Sequence, residues 1–125
     1  MPDLTLSQRF GTNATINATN KTLTINLNDL TDSGDILNGL GLDLSGLTAQ
    51  NANSYASRIL YTVLLLNFQQ QPETNNDETV AIYVTSGGRR DTVRNGVSQF
   101  NYVWQVNNYT PNNLPDTLDP DQMVA

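Results

Sequence analysis

Residues 99–107 alternate, with Val103 the one exception. Phe100, Tyr102, Trp104 and Val106 fall on one set of positions; Gln99, Asn101, Gln105 and Asn107 fall on the other. In an extended strand, successive side chains point to opposite faces, so this spacing collects the large apolar groups on one side. A helix would scatter them. Asn95-Gly96 lies just upstream, a pair suited to the positive φ of a tight hairpin turn. Before it, Val80, Ile82 and Val84 alternate with Ala81, Tyr83 and Thr85, which predicts another strand, and Gly87-Gly88 is expected to turn the chain.

A second alternating unit covers residues 13–28. Leu23, Ile25 and Leu27 alternate with Thr22, Thr24, Asn26 and Asn28, and upstream Ala14, Ile16 and Ala18 do the same. A two-residue turn at Asn20-Lys21 sets Ala18 opposite Leu23, Ile16 opposite Ile25 and Ala14 opposite Leu27. All three apolar pairs then share a face, as one buried face of a hairpin requires.

Between these units the pattern is less regular. Residues 30–47, with Asp29 just before them, combine Asp32, Asp35, Ser33 and Gly34 with Leu37-Asn38-Gly39-Leu40-Gly41-Leu42, a loop whose leucines dip into the core. Residues 48–57 carry Ala49, Ala52 and Ala56 behind Thr48, which fits a short helix with a threonine N-cap. Residues 59–68 are apolar on both strand faces; a buried strand and the end of a longer helix both fit, and the β-branched and aromatic content favours the strand. Pro72 to Glu78 is a polar connection. From Thr110 onward, three of the five prolines and Asp116, Asp119 and Asp121 describe an extended acidic tail.

Composition narrows the chemistry. The 125 residues include no histidine and no cysteine, and Lys21 is the single lysine. Histidine is the usual general base near neutral pH, cysteine the thiolate nucleophile, and lysine the Schiff-base former. A serine or threonine nucleophile would have no base, and the remaining carboxylates, such as Glu73 and Glu78, sit in a polar loop. The expectation is that the chain is not an enzyme. Its net charge of −6 repels phosphate, so nucleic acid and anionic membrane are unfavourable partners. No signal peptide is evident at Met1-Pro2-Asp3-Leu4, and the longest apolar run is half a bilayer span. Sequons at Asn13, Asn17, Asn20 and Asn108 matter only in a secreted chain, and in an Asn/Thr-rich sequence they arise by chance.

Several groups remain as candidate sites. Asp29, Asp32 and Asp35 are candidate Ca2+ ligands, since calcium takes carboxylate and carbonyl oxygens; their spacing departs from an EF-hand loop, and turn-forming aspartates read equally well. Arg89, Arg90 and Arg94 hold half of the positive charge on the predicted hairpin. With Asp116, Asp119 and Asp121 and the apolar Leu114 and Leu118 of the tail, they form a candidate interface in which opposite charges meet between copies. The stripe of Phe100, Tyr102 and Trp104 is expected to be a core face; a sugar-stacking platform is the other reading.

The fold expected is mainly β: an antiparallel sheet or sandwich of about five to seven strands in a domain over residues 1–110, with one short helix near 48–57 and an extended arm over 111–125. The function expected is a structural subunit that needs no cofactor and packs against copies of itself or other structural proteins, with a viral or phage particle component (coat, decoration or tail) first among such roles. The alternative is a small extracellular module that binds carbohydrate or Ca2+.

Overall fold

The computed structural model describes residues 3–32, 37–111 and 120–124. It divides into two compact units, Leu4–Glu73 on one side and Met1–Asp3 with Thr74–Ala125 on the other.

In the first unit, helix α1 (Leu6–Phe10) begins with reciprocal caps: the Gln8 N–H donates to Thr5 Oγ1 and the Thr5 N–H donates to Gln8 Oε1. These bonds satisfy two amides that the helix cannot pair internally. The longer helix, α2 (Ala56–Gln70), packs against α1. Here the structure corrects the strand preferred for residues 59–68. Alanine, leucine and glutamine favour helix, and fifteen residues exceed an ordinary strand. The helix stops at Gln71, which is extended at φ −73°, ψ 158° because Pro72 follows it. Thr62, Leu65, Leu66 and Asn67 form the buried face of α2, whereas Leu60 is 73 % exposed.

The short helix expected near 48–57 is a 3-10 turn, Ala52–Tyr55, running directly into α2. Thr48 acts as a cap to the turn before it, accepting the Asn51 N–H while Asn51 Oδ1 accepts the Thr48 N–H. A second 3-10 turn, Leu27–Leu30, also packs on α2 and buries Leu30 completely.

The hairpin expected over 13–28 forms, but it is smaller. Strands β1 (Thr15–Asn17) and β2 (Thr22–Thr24) pair Ile16 with Leu23, not with Ile25. Asn17 explains the two-residue shift. Its Oδ1 accepts the N–H groups of Thr19 and Asn20, both at 3.0 Å, which closes a four-residue loop over 18–21 in place of the two-residue turn. Every residue of both strands is exposed, so this hairpin is not a core element.

The second unit is built on one long antiparallel hairpin, β3 (Ile82–Arg94) and β4 (Val97–Asn108). Asn95 and Gly96 make the turn with φ of 50° and 76°, as the sequence predicts. Gly87-Gly88 does not turn the chain. Instead it forms a β-bulge, with Gly88 at φ 87°, and the strand runs on. Val80, Ala81, Tyr83 and Val84 are buried at the base of the hairpin. There, Tyr109 accepts the Val124 N–H at 2.7 Å and donates its own N–H to Ala81.

The expected five-to-seven-stranded sheet or sandwich is therefore not what forms. Among the described residues there are two separate two-stranded sheets and two helices. The main apolar run went to helix, and the glycine pair extended one strand where two had been expected.

Candidate interface on the long hairpin

Register fixes the faces of the β3–β4 hairpin. Opposite residues share a face, so Ser86 and Trp104, Arg89 and Tyr102, Asp91 and Phe100, and Val93 and Ser98 lie together. Arg90, Asn101, Thr92, Gln99, Arg94 and Val97 lie on the other face. Side-chain contacts agree with this division. The Arg89 guanidinium lies over the Phe100 ring, 4.4 Å from its centre, and Arg94 Nε donates to Gln99 Oε1 at 2.6 Å. The three arginines therefore do not form one patch: Arg89 accompanies the aromatics, and Arg90 and Arg94 point the opposite way.

The aromatic stripe is present but is not the core face that its spacing suggested. Phe100 is 62 % exposed and Tyr102 57 %, with Val93 and Val106 exposed beside them and Trp104 half-buried. The partner strand supplies the reason. It sets Arg89 and Asp91 across from Tyr102 and Phe100, and covering that face with an apolar layer would desolvate both charges. Sequence reasoning missed this because it judged β4 without its neighbour; the Arg89/Asp91 alternation, offset by the glycine pair, is the signal that could have found it. Comparison of the chain with protein-family models, with curated proteins and with solved structures returned no match.

The other candidate residues have local structural work. Asp29 accepts the Asn13 N–H at 2.7 Å and Asn13 Nδ2 at 2.9 Å, tying the start of the first hairpin to the 3-10 turn. Asp32 Oδ1 accepts the N–H groups of Gly39 and Gly41. A side chain at Gly41 would strike the Thr31–Asp32 backbone at 2.6 Å. Asp35 lies outside the described residues, and among those described no three acidic groups gather where they could hold a metal ion.

The tail residues Leu114, Asp116, Leu118 and Asp119 also lie outside the described residues, while Asp121 is exposed in the 3-10 turn Pro120–Gln122. Glu73 and Glu78 are exposed. Two carboxyl groups are held below the usual aspartate range. Asp77 is lowered by hydrogen bonds from the Thr79 hydroxyl and backbone, and Asp43 by the Ser45 backbone and hydroxyl. Both stabilise turns. No described helix is long and apolar enough to cross a membrane.

Proposed function

We propose that this chain is a non-catalytic structural subunit that packs into a multi-copy protein assembly, of which a viral or phage particle is one kind. The observation that carries the reading is the long hairpin. Strands β3 and β4 form a two-stranded sheet of their own among the described residues, and its outer part exposes Val93, Val97, Phe100 and Tyr102. Large apolar side chains grouped and exposed on one ribbon are what soluble chains ordinarily limit, and where they persist they mark contact surfaces.

A carbohydrate-binding module is the second reading, favoured by the exposure of Phe100 and Tyr102. Arg89 weighs against it, because its guanidinium already occupies a face of the Phe100 ring on which a sugar would stack. Size-exclusion chromatography with light scattering tests the proposal. Self-association that rises with concentration and weakens in a Phe100→Ser/Tyr102→Ser variant is the expected result. A chain that stays monomeric at millimolar concentration refutes it.

A further inference from the structure

We infer that the Arg89/Asp91/Phe100/Tyr102 face of the hairpin packs against the same face of a second copy of this chain, across a two-fold axis. This inference rests on the assembly reading and adds which surface meets which partner. The two faces of the hairpin differ in charge. Arg90 and Arg94 share the other face with uncharged Asn101, Thr92 and Gln99, so that face would repel a copy of itself. The aromatic face holds one arginine and one aspartate, two residues apart on the same strand, and is neutral.

An isologous contact must be complementary to itself. Place the two-fold axis between the copies, crossing the strands midway between residues 89 and 91. Reversing the strand direction then lays Arg89 over the partner's Asp91 and, on the neighbouring strand, Phe100 over the partner's Tyr102. Each copy contributes both halves of both pairs. One step outward, Trp104 falls over the partner's Ser98 and Val93 over the partner's Ser86, so each large side chain meets a small one. Arg89, stacked on its own Phe100, is pre-positioned to donate two N–H groups to the carboxylate in a bidentate arrangement. Packed sheets rotate by about 30°, which displaces the outer pairs most, so the charge pairs nearest the axis define the contact.

The face covers on the order of 300 Å2 per copy, taking about 3.3 Å per residue along two strands about 4.8 Å apart. That is below the roughly 800 Å2 per partner of a stable complex. The pairing is therefore weak in dilute solution and gains strength where subunits are already held together.

Charge exchange tests this geometry. Asp91→Arg sets like charges against the partner's Arg89, and Arg89→Asp sets a carboxylate against the partner's Asp91. Both positions are exposed, so each variant should fold, and circular dichroism checks that it does. In sedimentation velocity, each variant alone should associate about tenfold more weakly than wild type, or worse. An equal mixture of the two should recover association, because every charge then faces its opposite, and native mass spectrometry should find the recovered species to be the mixed pair. If wild type associates while the single variants are unaffected or the mixture stays weak, this interface is wrong and the assembly reading stands on another surface. If wild type is monomeric throughout, both fail; a shift in Trp104 emission on titrating that monomer with chitohexaose would give the face to carbohydrate.

Discussion

Asn67 is the polar centre of the α1–α2 contact, and replacing it by alanine measures what that centre contributes. The side chain is buried and fully used. Its Oδ1 accepts Arg9 Nη1 at 2.9 Å, and its Nδ2 donates to the Arg9 carbonyl at 2.9 Å and to the Val63 carbonyl at 2.7 Å. Arg9 lies in the last turn of α1, whose carbonyls have no acceptor role left within the helix. Asn67 thus caps one helix from the side of another.

Truncation strands these partners unequally. The Val63 carbonyl lies inside α2, where the helical hydrogen bond remains available to it, and the half-buried guanidinium can turn toward water. The Arg9 carbonyl has the fewest alternatives. One buried group left unsatisfied costs about 1–3 kcal/mol, and a lost hydrogen bond to a cation adds about 1 kcal/mol after rehydration. The total is about 2–4 kcal/mol. For a unit the size of Leu4–Glu73, that lowers Tm by about 10 °C or more, followed as helical ellipticity on heating. Asn67→Asp sharpens the test. It improves the acceptor for Arg9 but cannot donate to either carbonyl, so it too should destabilise. A fall of less than about 3 °C for the alanine variant, or a gain in stability for the aspartate variant, would refute the capping role.

Two further outcomes are expected. Leu30→Ala should cost about 2–5 kcal/mol in urea unfolding, because Leu30 is completely buried, whereas Leu60→Ala on the open side of α2 should stay within about 0.5 kcal/mol; equal effects would mean that the helix is rotated from the face described. Asp77, whose carboxyl is lowered by the Thr79 hydroxyl and backbone, contributes stability that is fully present above the ordinary aspartate pKa and is lost as pH falls through its lower folded value. The drop in Tm between pH 7 and pH 3 should accordingly be smaller in Asp77→Asn than in wild type, and an unchanged drop would show that the turn does not depend on the ionised form.

The parts legible in the sequence were those where local chemistry admits one solution. Asn95-Gly96 requires positive φ twice and made the turn, and the alternation on either side of it made the strands. Three other parts were ambiguous for identifiable reasons. Gly87-Gly88 suits a turn or a bulge, and only pairing with Val103 selects the bulge. The apolar run over 59–68 has no polar phase to separate a strand from a helix, so its length decided. In the first hairpin, three matched apolar pairs lost to one asparagine side chain that closed a wider loop. The candidate interface was half legible. A period of two reports which residues share a face; whether anything covers that face depends on the strand beside it. For β4 that strand brought Arg89 and Asp91.

The bulge at Gly87-Gly88 works as a phase shift in the strand. Up to Ser86 the even-numbered residues of β3 lie on the Trp104 face, and beyond the glycines the odd-numbered ones do. If these residues instead paired one for one from Ser86 and Trp104, with no bulge, Arg90 would stand opposite Phe100, while Arg89 and Asp91 would move to the far side. The aromatic face would then be cationic and self-repelling instead of neutral. One glycine thus determines the electrostatic character of a surface through parity alone, without touching anything on it.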